Sequence, residues 1–161
     1  MLAPVNNSAT IMKGAAERAK QTCPQLADIS KRDGASRAVV LVVDDDDFVR
    51  EITTDILTDQ GYDVLQAADG GAALEALSNG RIIDILLADV VMNKMSGPEL
   101  ARQVRVLHPL MPVVFMSGYA GLADDEGDLS LFQLIKKPFR PGDLHVHIEA
   151  ALVRSRGLSS G

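Results

Sequence analysis

The stretch Ala38-Val39-Val40-Leu41-Val42-Val43 decides the fold of this chain of 161 residues. Every position of the stretch is apolar, and most positions hold the β-branched residue valine. A strand that is apolar on both faces is typical of a parallel sheet that helices cover on each side. The run ends at four consecutive aspartates, Asp44 to Asp47. We therefore predict a central buried strand with acidic residues at its carboxyl end.

Strand and helix patterns alternate downstream of this stretch. Residues 47–60 place apolar side chains at helical spacing and stop at Gly61, a residue suited to the left-handed turn that closes helices. Further strands are predicted at 64–67, 82–88, 113–116 and 131–135, and further helices at 71–77, 98–107, 122–126 and 141–154. Because five strand–helix units follow one another, we predict an α/β fold, with a doubly wound five-stranded parallel sheet and helices on both faces.

The residues that flank this pattern are predicted to lie outside the domain. Residues 1–37 contain many turn formers and one weak helical run at 11–20, so we expect a largely disordered leader or one short helix. Residues 155–161 are expected to form a short tail. The leader has a net charge of +3, whereas the remainder carries ten basic and nineteen acidic groups and has a net charge of −9.

Charge and hydropathy exclude several functions. An acidic body repels nucleic-acid phosphates and favours cations or basic protein surfaces, so no direct nucleic-acid binding is expected. The apolar runs are far shorter than the roughly 20 residues that a membrane span needs, and the N-terminus lacks the pattern of a signal peptide. We therefore expect no membrane association and a cytoplasmic location. The single cysteine, Cys23, has no second cysteine with which to form an internal disulfide.

Polar residues follow the predicted strands where ligands of open α/β sheets bind. Asp44 and Asp45 follow the first strand, Asp89 the third, Ser117 the fourth and Lys137 the fifth. Because the carboxyl ends of parallel strands meet at one edge of a sheet, these side chains should converge there.

Three of these residues are carboxylates, and bringing Asp44, Asp45 and Asp89 together is unfavourable unless a divalent cation lowers their repulsion. Mg²⁺ fits best, because it takes oxygen ligands and keeps waters that phosphoryl oxygens can replace. One carboxylate could then attack phosphorus, while Lys137 stabilises charge on the transferred group and Ser117 donates a hydrogen bond to it.

Five motifs, which occur in order and on the predicted strand ends, resemble a known family. They are Val42-Val43-Asp44-Asp45-Asp46, Leu87-Ala88-Asp89-Val90-Val91-Met92, Met95-Ser96-Gly97, Phe115-Met116-Ser117-Gly118-Tyr119 and Lys137-Pro138-Phe139. Together they resemble the receiver domain of two-component response regulators, a CheY-like domain of the flavodoxin-like fold. The resemblance covers residues 38 to about 153, so we assign 38–154 as the receiver domain.

The resemblance implies how the site works. Asp89 would accept a phosphoryl group from a sensor histidine kinase or a histidine phosphotransfer protein. Asp45 would bind Mg²⁺ directly, Asp44 would help to hold its waters, and the backbone carbonyl of Val91 would be a further ligand. Self-phosphorylation and autodephosphorylation would be the only chemistry, so the domain is not expected to be an enzyme. Its signal would leave through contact with a downstream protein target.

The resemblance also implies that Ser117 binds the phosphoryl group, that Lys137 pairs with it, and that the peptide bond from Lys137 to Pro138 is cis.

Three features depart from the family pattern. Leu134 stands where receivers often have Tyr or Phe, and Phe132 is expected on the opposite face of its strand, where it could not replace that ring. Asn93 and Lys94 stand where Pro and Gly are usual, which should loosen the loop after Asp89. Val91 offers no side-chain acid or amide to orient an attacking water, so we expect slow intrinsic dephosphorylation.

Several alternatives remain open at this point. The receiver could stand alone or could belong to a hybrid histidine kinase. The chain could also be a phosphorylation-independent interaction module with a vestigial site. A phosphatase of the haloacid-dehalogenase type would use similar residues, with Asp44 and Asp46 as its strand-one pair. That class needs a later acidic pair, and only Asp143 and Glu149 follow Lys137.

Overall fold

The computed structural model describes residues 37–118 and 132–159. In chain order, the elements are β1 (Val39–Val43), α1 (Asp47–Asp59), β2 (Asp63–Ala67), α2 (Gly70–Ser78), β3 (Ile85–Asp89), α3 (Gly97–Leu107), β4 (Val113–Ser117), β5 (Gln133–Lys136) and α4 (Pro141–Ser159). All five strands are parallel, in the order β2-β1-β3-β4-β5. The predicted five-stranded parallel sheet is therefore confirmed. Within the described ranges, we find no helix with the length and apolar character of a membrane span.

The core consists of two apolar layers, one on each face of the sheet. On one face, Leu41 and Val43 of β1 pack in a cluster with residues of α2 and α3. On the other face, Val40 and Val42 pack in a cluster with residues of α1 and α4. Because successive side chains of a strand point to opposite faces, a wholly apolar β1 serves both layers. The helices therefore cover both faces, as the sequence predicted.

The ends of several elements differ from the prediction. β3 begins at Ile85 rather than at residue 82, and the preceding Asp84 bonds β1 through both its carboxylate and its amide, at 2.7 and 2.9 Å from Val39. α4 continues to Ser159, five residues beyond the predicted end and into the predicted tail. In that extension, the hydroxyl of Ser155 donates a hydrogen bond to the carbonyl of Leu110 at 3.0 Å.

The strand before Lys137 also begins later than predicted, at Gln133. The prediction that Phe132 lies on the opposite face from Leu134 is wrong. Both side chains pack against the cluster that contains Phe115, and the rings of Phe132 and Phe115 meet edge to face at 5.1 Å. Residues two apart share a face of an extended chain, which is the physical reason. The predicted helix at 122–126 and the leader up to residue 36 lie outside the described residues.

α1 starts at Asp47, as predicted, and ends at Asp59, one residue before the predicted end. Asp46 caps its N-terminus, because its carboxylate accepts the amides of Phe48 and Val49 at 3.0 and 3.2 Å. At the other end, Gly61 adopts a φ of +91°, a left-handed conformation that favours glycine. The cap turns the chain into α1 directly after β1, so Asp44 and Asp45 remain at the carboxyl edge of the sheet.

Candidate functional site

The predicted site residues lie at one edge of the sheet, beyond the carboxyl ends of the central strands. Asp44 follows β1, Asp89 ends β3, Ser117 ends β4 and Lys137 follows β5. The pairing of neighbouring strands sets Asp89 level with Met116, and Ser117 level with Lys136. Residues that are far apart in sequence therefore reach a common edge.

Three carboxylates form a cluster at this edge. Asp44, Asp45 and Asp89 each have a carboxylate oxygen, and these oxygens all lie within 4.8 Å of one another. Asp44 is fully buried, whereas Asp45 and Asp89 are partly buried. Within residues 37–118 and 132–159, these three acids are the one group of acids, histidines or cysteines that is placed so that it could hold a metal ion. Close carboxylate oxygens fit a hard divalent cation such as Mg²⁺, which prefers oxygen ligands.

Lys137 links two members of this cluster. Its Nζ lies 2.7 Å from Oδ2 of Asp44 and 3.4 Å from Oδ2 of Asp89. The side chain of Lys137 is largely buried, and its ammonium partly neutralises the two acids in an environment that water screens poorly. The bond from Lys137 to Pro138 is cis, as the resemblance implied.

The environment of Asp89 disfavours its charged form. Burial, supported by the nearby charge of Asp44, raises the pKa of the Asp89 carboxyl above its ordinary value. The charge and hydrogen bond of Lys137 and the amide of Val91 act in the opposite direction and do not cancel the effect. A group that adds positive charge beside Asp89 would therefore stabilise the charged form of its carboxyl.

The chain also holds the backbone around Asp44. The amide of Asp46 donates to Oδ1 of Asp44 at 3.0 Å, and the Asp44 amide donates to the carbonyl of Ala67 at 3.3 Å. Arg50 donates to the carbonyl of Asp44 at 2.7 Å and also pairs with Asp47. The sequence offers no signal for this role, because Arg50 lies on the first turn of α1 but no local pattern marks it as the donor to the Asp44 carbonyl.

Gly97 explains the third family motif, to which the sequence analysis assigned no role. A Cβ atom at Gly97 would lie 2.3 Å from the backbone carbonyl oxygen of Asp89. The amide of Gly97 donates to the carbonyl of Val90 at 2.9 Å, and the Val90 amide donates to Met116. The start of α3 therefore packs on the backbone that carries Asp89, and only a residue without a side chain allows that approach.

The loop after Asp89 contacts a second acid of the cluster. The amide of Asn93 donates to Oδ2 of Asp45 at 2.9 Å. Lys94, in the position where glycine is usual, has a φ of +68°. Lys94 was expected to loosen this loop. It instead adopts a backbone conformation with positive φ, and the neighbouring Asn93 is bonded to Asp45.

The acidic residues required by the phosphatase alternative lie elsewhere. Asp143 and Glu149 are both on α4. Asp143 accepts the amide of Arg140 at 2.9 Å, and Glu149 accepts the hydroxyl of the buried Tyr62 at 2.7 Å. These contacts assign both acids to the structure of α4 rather than to the carboxylate cluster.

Comparison with known proteins agrees with this fold. The response regulator receiver domain model matches residues 40–149. The chain is 32% identical over 116 residues to the response regulator receiver protein CpdR of Brucella abortus, which covers 71% of this chain and 96% of CpdR. It is 40% identical over 110 residues to the sensor kinase CckA of the same organism, covering 66% of this chain and 12% of CckA.

Solved structures agree with the sequence matches. The CheY-like receiver domain protein from Methanospirillum hungatei JF-1 has a TM-score of 0.68 at 31% identity, covering 76% of this chain and 98% of that one. The receiver domain of the hybrid histidine kinase CckA has a TM-score of 0.61 at 33% identity, covering 71% and 99%. The chain therefore belongs to the response regulator receiver domain family of two-component signalling. It spans only a small part of some relatives, such as 25% of the regulator NtrC of Escherichia coli.

Proposed function

We propose that Asp89 is the phosphoryl acceptor of this receiver. The observation that carries the proposal is the position of Asp89, which shares Lys137 with the buried Asp44 and belongs to the three-carboxylate cluster. In the reaction, a carboxylate oxygen of Asp89 forms a bond to phosphorus as the bond from phosphorus to a donor histidine nitrogen breaks, and the imidazole leaves. The product is an aspartyl phosphate.

Asp44, Asp45, Asp89 and the backbone carbonyl of Val91 would hold Mg²⁺ at this site. When bound, Mg²⁺ neutralises the cluster and stabilises charge on the phosphoryl oxygens. Asp45 is the member of the cluster that also accepts the Asn93 amide, which orients its carboxylate. The chemistry of three clustered carboxylates supports this assignment, because all three attract a divalent cation and the cation offsets their mutual repulsion.

Lys137 and Ser117 would bind the transferred group. Lys137 already lies 3.4 Å from Asp89, so its ammonium can pair with phosphoryl oxygens attached there. Ser117 is buried at the end of β4, and its hydroxyl would donate a hydrogen bond to the same group. The amide of Lys137 donates to the carbonyl of Ser117 at 2.7 Å, which couples the two positions through the backbone.

The phosphoryl donor would be a sensor histidine kinase or a histidine phosphotransfer protein. The side chains of Phe48, Ile52 and Val91 are exposed by 69%, 41% and 58%, and their residues lie on α1 and on the loop after Asp89. Exposed apolar side chains near an acceptor favour docking of a protein donor over a small substrate. The likeness to CpdR and to CckA supports both a stand-alone receiver and a receiver of a hybrid kinase.

The output would be contact with a downstream protein, in the cytoplasm where kinases have access to ATP. The acidic charge of the domain argues against direct nucleic-acid binding. The reactions of the domain would be its own phosphorylation and dephosphorylation. Dephosphorylation would be slow, because the side chain of Val91 cannot orient a water molecule.

The test is treatment with acetyl phosphate and Mg²⁺, read by intact mass. The wild type should gain a single adduct of about 80 Da that requires Mg²⁺, and Asp89→Asn should gain none. Asp46→Asn is the matched control, because it removes a neighbouring charge, retains the cap of α1 and should leave the adduct intact. A wild type without an adduct would instead favour a phosphorylation-independent interaction module.

A further inference from the structure

The loop after Asp89 contains a tight turn centred on Lys94. The amide of Met95 donates to the carbonyl of Asn93 at 2.8 Å, and the φ of Lys94 between them is +68°. A three-residue turn with a positive φ at its centre is the rare, strained form of the γ-turn. Residues other than glycine adopt it at a cost in conformational free energy, so surrounding contacts must hold it in place.

Two contacts join this turn to the corner between β2 and α2. Nζ of Lys94 lies 3.5 Å from Oδ2 of Asp69. Met95 packs over Gly70, where a Cβ atom would lie only 2.6 Å from the Met95 sulfur. Asp69 is itself held, because its carboxylate caps α2 by accepting the amide of Ala72 at 2.8 Å. The ion pair therefore connects the turn to a fixed point of the fold.

The same turn presents its backbone to the carboxylate cluster. The amide of Asn93, the first residue of the turn, donates to Oδ2 of Asp45 at 2.9 Å. This hydrogen bond orients the Asp45 carboxylate, which keeps acceptor sites for a metal. Hydrogen bonds that orient a ligating carboxylate in this way contribute to metal affinity.

We propose that Lys94 and Asp69 are positioning residues for Mg²⁺, whose ion pair holds the turn so that the Asn93 amide orients Asp45. The proposal rests on the proposed function, because it concerns the metal of that site. It predicts that removing the positive charge of Lys94 lowers the affinity for Mg²⁺, the opposite of what charge alone would do. Lys94 is positively charged, so its charge alone opposes binding of a cation, whereas its contact with Asp69 assists binding.

Isothermal titration of the metal-free protein with MgCl₂ tests the proposal. Lys94→Met should weaken Mg²⁺ binding about two- to fivefold, the effect of losing one ion pair whose lysine is largely exposed. Asp69→Asn should also weaken binding, and it retains the α2 cap because asparagine caps helices as well as aspartate does. The double variant should bind Mg²⁺ at most about fivefold more weakly than the wild type. Both changes break the same contact, so their effects do not multiply.

Lys136→Met is the matched control for charge. Lys136 is an exposed lysine at the end of β5, next to the site, and the described structure gives it no part in the turn. Its replacement should leave Mg²⁺ affinity unchanged or slightly increased. A Lys94→Met variant that binds Mg²⁺ as tightly as Lys136→Met, or more tightly, would overturn the proposal. A wild type that binds no Mg²⁺ would instead refute the metal site itself.

Amide hydrogen exchange measured by NMR without metal provides a second readout. The Asn93 amide should exchange about two- to fivefold faster in Lys94→Met and in Asp69→Asn than in the wild type, because the turn that presents it is less populated. The Phe48 amide, which is bonded to the Asp46 cap, should exchange at the wild-type rate in both variants. Unchanged exchange at Asn93 would contradict the positioning role even where the variants bind Mg²⁺ less tightly.

Discussion

Replacing Asp89 with asparagine should stabilise the metal-free protein. Oxygens of Asp44 and Asp45 lie within 4.8 Å of an Asp89 oxygen, and Lys137 lies 3.4 Å away. At an effective dielectric constant of about 20, each repulsion is about 3.5 kcal/mol and the attraction is about 5 kcal/mol. The two repulsions together exceed the attraction by about 2 kcal/mol. Screening at the partly exposed Asp45 reduces the net gain in the variant to about 1–2 kcal/mol.

Thermal unfolding in EDTA at pH 7 measures this gain. The melting temperature of Asp89→Asn should exceed that of the wild type by about 4–8 °C. Asp46→Asn is the control, since it removes a charge outside the cluster, and it should change the free energy of unfolding by less than about 0.5 kcal/mol. Adding Mg²⁺ should reduce the difference in melting temperature between Asp89→Asn and the wild type. The cation stabilises the wild-type cluster more strongly than that of the variant.

The gain should also depend on pH, in a direction that the structure sets. Because burial raises the pKa of Asp89 in the folded protein, the wild type loses stability as the pH rises through that pKa. The asparagine variant has no such loss, so its advantage is complete above the folded pKa and disappears below the unfolded value of about 3.9. An Asp89→Asn protein that melts at or below the wild-type temperature in EDTA at pH 7 would refute the electrostatic reasoning.

Two further variants test contacts that position the site and the helices. Gly97→Ala should lose about 2 kcal/mol or more in urea unfolding, because its Cβ would lie 2.3 Å from a backbone oxygen that cannot rotate away. Gly142→Ala, whose added Cβ would meet no atom within 4 Å, should instead gain about 0.5 kcal/mol, and equal stabilities would contradict the close approach. Tyr62→Phe should lose about 1 kcal/mol in the same assay, because the buried Tyr62 hydroxyl donates to Glu149, and a variant as stable as the wild type would show that the bond contributes nothing.

Much of the fold could be predicted from the sequence because its signals are local. The apolar run at 38–43 and the helical spacing after it indicate a buried strand and an amphipathic helix, whatever the rest of the chain does. Element ends were less predictable. Apolar residues lie on both sides of the start of β3, and the pairing of Asp84 with Val39 just before that start joins residues 45 positions apart in the chain. The unpredicted last part of α4 likewise makes a contact that is distant in sequence, because the hydroxyl of Ser155 donates to Leu110, a residue 45 positions away in the chain.

The location of the site could also be predicted, because parallel strands deliver their carboxyl ends to one edge. Asp44, Asp45, Asp89 and Lys137 follow strand signals in the sequence, and the structure brings them together. Phe132 and Leu134 share a face because residues two apart in a strand point to the same side, so this placement follows from the sequence alone. No local pattern, in contrast, marks Arg50 as the donor to the Asp44 carbonyl.

The sequence by itself thus determined the class of fold, the acids and lysine at the strand ends, and the family to which they point. Only the tertiary structure decided that Lys137 bridges Asp44 and Asp89, that Gly97 packs on the Asp89 backbone, and that the turn at Lys94 reaches both Asp69 and Asp45. The physical reason is that strand and helix signals come from neighbouring residues. These contacts join loops that meet only after the helices have packed on the sheet.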